Sequence, residues 1–325
     1  MAGPRLLIMV LALLVAAGGC AAPAVPADRP ADGAAPVTVQ NCGVTTIYPE
    51  PPKSILAMNV TAVETMIMLG AGDRLIGRQT ETDDPRPVPE AAAAFDRLEV
   101  LGKANLSGEK IADLGPELVV AGWDLFDEDE GRSRDQLRGY GIDTFGFTEY
   151  CAGGFAGFET LEKDLRDLGA ILGQSDRAEK LITDLRGRLE QARSGLDGVQ
   201  PVRTFYYDSG TDAPYTPGGP GVLSFIADQA KAPSVINDGQ RPFVTASWEQ
   251  VADQQPEVIV ILDYPYSGTV ADKIKILEAN PVMATTPAVR QRRYVTLGLY
   301  DTFEGVRIPG AVEHLAEAVH GKRPR

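Results

Sequence analysis

Ser107-Gly108-Glu109-Lys110-Ile111-Ala112-Asp113-Leu114-Gly115-Pro116-Glu117-Leu118-Val119-Val120 and Ser247-Trp248-Glu249-Gln250-Val251-Ala252-Asp253-Gln254-Gln255-Pro256-Glu257-Val258-Ile259-Val260 align without a gap. Ser, Glu, Ala, Asp, Pro, Glu and the last Val are identical at matching places. Both copies obey the same physics. The Ser side chain can cap a helix, and the Glu two places on faces the positive helix end. The Pro then breaks the helix, and an apolar run enters a sheet. A helix-turn-strand unit that recurs across the chain predicts two lobes of like design.

The surrounding sequence alternates in the same manner. Short apolar runs at Ser54 to Met58, Leu75 to Arg78, Leu118 to Ala121 and Ile142 to Phe147 read as strands, with a helix at Ala62 to Leu69 ended by Gly70. The second half repeats this: strands at Arg203 to Tyr207, Val258 to Leu262 and Tyr294 to Leu297, and helices at Val222 to Gln229, Trp248 to Gln254, Val270 to Glu278 and Pro309 to Val319. Alternating β and α segments predict an α/β fold with mostly parallel sheets.

Between the halves, Phe158 to Leu196 carries apolar residues at helical spacing, interrupted by Gly173-Gln174-Ser175. Ser175 reads as the N-cap of the second piece. Some twenty helical residues span about 30 Å, which suits a strut between lobes.

The N-terminus reads as an export signal. Arg5 precedes an apolar run from Leu6 to Ala17, too short to cross a bilayer comfortably, followed by Gly18, Gly19 and Cys20. Small residues before Cys20 match a lipobox, with Cys20 the lipidated residue; the other reading is a secreted protein that loses Cys20. Residues 21–36, rich in Ala, Pro, Asp and Gly, read as a tether holding a domain near a membrane. The expected division is a signal peptide at 1–19, a lipidated tether at 20–36, an N-terminal lobe at 37–157, linking helices at 158–198 and a C-terminal lobe at 199–325.

Composition narrows the function. The 325 residues carry 31 Lys and Arg against 45 Asp and Glu, a formal charge of −14, which argues against nucleic acid as partner. The two His, His314 and His320, lie near one terminus and cannot supply a catalytic triad or a His-built metal cage around a cleft. No G-x-S-x-G elbow is present, so an enzyme is not expected. Outside the cell Cys42 and Cys151 can form a disulfide, closing a loop worth about 4–5 kcal/mol in the chain-entropy model; two buried thiols are the alternative.

The chain resembles the extracytoplasmic substrate-binding proteins of iron-siderophore and cobalamin ABC importers. Cys20, Pro52-Lys53-Ser54-Ile55-Leu56-Ala57, Thr61-Ala62-Val63-Glu64, the two Ser-x-Glu copies, Asn280-Pro281-Val282 and Gly305-Val306-Arg307 carry the resemblance in their order and spacing. Asn41-Cys42-Gly43, Tyr207-Asp208-Ser209-Gly210 and Ser247-Trp248-Glu249 are similar to actinobacterial members, some of them linked to a deazaflavin coenzyme precursor.

The resemblance implies two Rossmann-like three-layer lobes joined by a rigid helix, with the ligand in the cleft between them. It implies a lipid-anchored monomer on the outer face of the cell membrane, with no resident cofactor. Its partners would be a permease dimer with a cytoplasmic ATPase, and Glu109 and Glu249 would dock on the two permease subunits. Strand-end loops line the cleft in this family, which makes Asn59, Arg78, Trp123, Tyr207, Tyr215, Arg241, Tyr264, Tyr300 and Arg307 the candidate ligand contacts. Aromatics offer flat surfaces, and Arg offers forks for oxyanions. A ferric siderophore is the expected cargo, with a deazaflavin precursor or cobalamin as the alternative. The five acids in 124–130 read as a solvated loop, and Thr216 to Gly221 as a plain loop or a phosphate cradle before a helix.

Overall fold

The central strands of the computed structural model, Ile55–Ala57, Leu118–Ala121, Thr204–Tyr207 and Val258–Asp263 up to its last residue, are buried on both faces, as parallel sheets covered by helices require. Residues 35–79, 86–102, 106–122, 126, 128–239 and 241–321 are described. The expected signal, the tether up to residue 34, Cys20 and Trp123 lie outside them.

The described chain opens with a hairpin, β1 (Val37–Asn41) and β2 (Val44–Tyr48). There follow β3 (Ile55–Ala57), α1 (Val60–Met68), β4 (Leu75–Gln79), α2 (Pro89–Phe95), β5 (Val100–Gly102), α3 (Gly108–Leu114), β6 (Leu118–Ala121), α4 (Arg134–Gly139) and β7 (Asp143–Gly146). The linking helices are α5 (Phe158–Ile171) and α6 (Ser175–Ser194). Then come β8 (Thr204–Tyr207), β9 (Tyr215–Pro217), α7 (Val222–Gln229), β10 (Phe243–Thr245), α8 (Trp248–Asp253), β11 (Val258–Asp263), α9 (Val270–Ala279), α10 (Pro287–Arg290), β12 (Tyr294–Gly298) and α11 (Ile308–His320).

The first lobe holds a parallel sheet in the order β5-β4-β3-β6-β7. This is a doubly wound order, and the chain reverses direction of winding between β3 and β6. The second lobe holds the parallel sheet β12-β11-β8, extended beyond β8 by a parallel bridge from Thr204 to Ser234. Its reversal lies between β8 and β11. The repeated segments are α3–β6 and α8–β11, so each repeat ends in a strand beside its lobe's reversal.

The repeat holds at the level of backbone. Ser107 Oγ accepts from the Lys110 amide, and Ser247 Oγ from the Gln250 amide. Gly115 and Gln255, which correspond, are both left-handed, with φ of 62° and 49°. Only the second copy closes a capping box, since Gln250 reaches back to the Ser247 amide where the first copy has Lys110.

Alternate residues of each sheet enter different cores. Leu56, Met58, Val119 and Ala121 pack with α3 and α4 on one side of the first lobe, while Phe205, Tyr207, Ile259 and Ile261 pack with Trp248 and Val251 in the second. The opposite faces, including Ile55, Ala57, Val120, Tyr206, Val258 and Val260, belong to one continuous core running through α1, α5, α6 and α11. α6 buries Leu181, Ile182, Leu185 and Leu189 at helical spacing. The two lobes therefore share apolar packing through the linking helices, and hinge motion has to disturb that packing.

Two local expectations change. Ser175 is the first helical residue of α6, and Gln174 is its N-cap, because the Gln174 carbonyl accepts the first helical bond from Ala178. Gly173, left-handed at φ 67°, ends α5 just before it. The hairpin β1–β2 was not visible as strands; Cys42 and Gly43 both have positive φ and form its two-residue turn. Asn41 bonds both ways to the Gly146 backbone of β7, and Cys42 forms a disulfide with Cys151. The hairpin is thus fastened to the edge of the first sheet.

Candidate functional site

In open parallel sheets, ligands sit at the carboxyl ends of strands where winding reverses. In the first lobe that position holds Asn59, just after β3, and Gly122, just after β6. Asn59 is buried and caps α1: its Oδ1 accepts from the Ala62 amide and the Thr61 hydroxyl, both at 2.8 Å. A Cβ on Gly122 would lie 2.8 Å from Asn59 Nδ2 and 3.2 Å from a Tyr150 ring carbon, so only glycine allows this close approach.

Arg78 stands near the end of β4, its guanidinium 4.4 Å from the centre of the Phe95 ring. Its Nε and Nη1 are buried and have no hydrogen-bond partner. Two buried, idle donors on this half-buried side chain are costly, and an incoming oxyanion would relieve that cost.

The corresponding place in the second lobe holds Asp208 after β8 and Tyr264 after β11. The Tyr264 hydroxyl donates to Asp208 Oδ1 at 2.6 Å. Burial and the Asp208 charge push the Tyr264 hydroxyl up to about 12, so it stays protonated at neutral pH. The buried Lys273 places its ammonium 4.6 Å from the centre of the Tyr264 ring and donates to the Leu262 carbonyl; burial pulls its pKa down. Tyr264 is thereby fixed as a ring surface rather than as a free phenolate.

A row of aromatic rings joins the lobes at this end. Tyr150, in the 3-10 turn after β7, meets Phe303 edge to face at 6.4 Å, and Phe303 meets Tyr300 at 5.9 Å. Tyr150 carried no sequence signal beyond following a strand. Tyr300, singled out from the sequence, belongs to this row. Tyr215 stacks on Phe243 in the small β9–β10 sheet and is 42% exposed. Arg241 is exposed and faces Asp238 at 3.6 Å, a rim position.

Two candidate contacts are corrected. Tyr207 is 1% exposed, donates to the Gly210 carbonyl and packs against Trp248, because its strand parity turns it into the helix-covered core. Arg307 is committed elsewhere: its fork grips Glu64 of α1 and reaches Asp301 and the Arg86 carbonyl. Glu109 and Glu249 are both exposed in the first turns of α3 and α8. Each helix precedes its strand, so both acids lie at the carboxyl-end edge of their sheets.

Residues 55–299 match the family model described as periplasmic binding protein. The chain is 24% identical over 326 residues, covering 95% of both chains, to the uncharacterized ABC transporter substrate-binding lipoprotein YvrC of Bacillus subtilis. It is 24% identical over 216 residues to a vitamin B12-binding protein of Yersinia pestis, covering 66% of this chain and 71% of that one. In structure it is similar to an ABC-type Fe3+-hydroxamate transport system protein from Saccharomonospora viridis, with a TM-score of 0.75, 22% identity, and coverage of 88% and 99%. The chain belongs to the periplasmic binding protein family. Its class binds substrates and does not transform them.

Proposed function

We propose that this protein is the substrate-binding component of an ABC importer and carries a ferric chelate of the siderophore type between its lobes. The carrying observation is Arg78, whose buried Nε and Nη1 are unpaired at the carboxyl end of β4. The oxygens of a hydroxamate or catecholate chelate would supply the missing acceptors, and the faces of Tyr150, Tyr264 and Tyr300 suit its flat portions. Tyr264 holds its proton against Asp208, which favours a chelate whose metal arrives already wrapped over one needing tyrosinate from this residue.

The lobes proposed are 37–157 and 199–325, joined by helices in 158–198. Asn59, Tyr215, Arg241 and Trp123 are proposed as further contacts or rim. Glu109 and Glu249 are proposed to meet the two permease subunits, matched acids on matched lobes facing a two-fold partner. Cys20 is proposed to bear the lipid.

The test is quenching of intrinsic fluorescence by ferric hydroxamates, ferric catecholates, cobalamin, haem and a deazaflavin phosphodiester. Submicromolar quenching by one ferric chelate class is the expected result. Binding of the deazaflavin alone, whose phosphate also fits the Arg78 fork, would replace iron with a coenzyme precursor and leave the transport role standing.

A further inference from the structure

Next to the aromatic row lies a cluster of three carboxyls. Glu149 follows β7, Asp164 is on α5, and Glu304 precedes α11. The Glu149 amide donates to Glu304 Oε2, and the Glu304 amide donates to Glu149 Oε2, both at 2.8 Å and across 155 residues. This reciprocal clamp fastens the two lobes. It also fixes the neighbours Tyr150 and Phe303, which meet edge to face.

Asp164 and Glu304 are fully buried, with Glu304 Oε1 lacking any hydrogen-bond partner. The Asp164 oxygens accept from the Thr148 amide at 2.6 Å and from its hydroxyl at 2.7 Å. Groups facing the cluster are Lys163 and Asp167 on α5, Tyr150, and the Val222 amide at the start of α7. Among the described residues Lys163 is the one cation that acts on it, and its ammonium is paired with Asp167. Three adjoining carboxyls, two fully buried and Glu149 half-buried, cannot all ionise cheaply with so little positive charge nearby. Among the described residues no group of His, Cys, Asp and Glu is arranged to hold a metal ion, so a bound cation does not explain the cluster.

We propose that Glu149, Glu304 and Asp164 form a proton-held seam, in which a retained proton keeps the lobes clamped with Tyr150 against Phe303, and its loss loosens the floor of the cleft. Glu149 and Glu304 are then positioning residues for the ligand-facing rings. Burial pushes Glu149 to about 7 and Asp164 to about 6, so their protons leave near neutral pH, and burial with the Asp164 charge beside it pushes Glu304 well up. The clamp stands on the fold alone; only its effect on affinity rests on the proposed function.

Hydrogen exchange of the Glu149 and Glu304 amides in the ligand-free protein tests the clamp. Corrected for intrinsic rates, their protection should fall about tenfold between about pH 5.5 and about pH 8.5, since one pKa unit is tenfold in equilibrium. In Glu149→Gln, which keeps an acceptor oxygen for the Glu304 amide and cannot ionise, protection should vary far less. Flat protection in the unsubstituted protein, or an equal fall in Glu149→Gln, overturns the proposal. The unsubstituted arm needs no variant to fold. A ferric tris-hydroxamate probe titrated across the same range should bind more weakly at high pH. If amide protection falls and no such probe binds, the seam stands and the ligand assignment fails. If the probe binds while protection stays flat, the seam fails and the assignment stands.

Discussion

The Arg307 guanidinium holds Glu64 through two parallel bonds, Nε to Oε2 at 2.8 Å and Nη2 to Oε1 at 2.7 Å, across 243 residues of sequence. Glu64 is fully buried on α1, and Arg307 is only 13% exposed at the start of α11. The Val88 amide and Asp301 complete the group. A bidentate pair with its spare oxygens and nitrogens satisfied meets the desolvation cost of burial. The pair joins the first lobe to the second, beside the shared core.

Removing one partner leaves the other charge buried. Arg307→Met should destabilise by about 3–5 kcal/mol, measured by urea unfolding, and adding Glu64→Gln should recover part of the loss. No recovery in the double variant would mean that Arg307 acts through packing alone.

Stability should depend on pH through the carboxyl seam. Glu149 rises from its ordinary 4.5 to about 7 and Asp164 from 3.8 to about 6, so the folded state binds more protons than the unfolded one between those values. These groups stabilise fully below the unfolded values, and their contribution is lost as pH rises through the folded ones. The urea midpoint should therefore decline from about pH 4 to about pH 7 on their account, and decline less in Glu149→Gln.

The repeat gives a stability prediction of another kind. Gln255 adopts the left-handed conformation that Gly115 occupies in the first copy, at a cost of roughly 1 kcal/mol for a residue with a Cβ. Gln255→Gly should raise the unfolding free energy, read from urea unfolding, by up to about 1 kcal/mol, reduced by the lost bond from Gln255 Nε2 to the Ala252 carbonyl. A drop would show that this side-chain bond outweighs the backbone strain.

What the sequence made legible was whatever repeats locally. Ser107 and Ser247 cap their helices as their spacing implies, and the central strands of both parallel sheets lie where the apolar runs lie, while the short strands β1, β2, β5, β9 and β10 gave no such run. The rule of strand ends singles out Asn59 and Tyr264, and both stand just past a strand. Tyr207 obeyed that rule but misled, since one residue of strand parity separates cleft from core. Glu149, Tyr150 and Phe303 gave no signal, because polar and aromatic loop residues gain meaning only when segments about 150 residues apart meet. Arg307 stood out through Gly305-Val306-Arg307 and as a candidate ligand contact, but its partner on α1 could not be read from local pattern.

Glu109→Ala and Glu249→Ala, singly and together, should leave ligand affinity unchanged and reduce uptake in cells expressing the importer, the double variant most. Both side chains are exposed at matching helix starts, so each helix should lose only about 0.3–1 kcal/mol of dipole interaction. Weaker ligand binding in either variant would place these acids in the cleft and remove them from docking.

The most direct measurement is the affinity of the purified protein for a ferric siderophore-type chelate, compared with that of Arg78→Met. Submicromolar binding to the unsubstituted protein, weakened about 10–100-fold in the variant, is the expected result, since charge-assisted hydrogen bonds contribute about 1.5–3 kcal/mol. Equal affinity in both proteins would contradict the assignment of the unpaired Arg78 fork to the ligand.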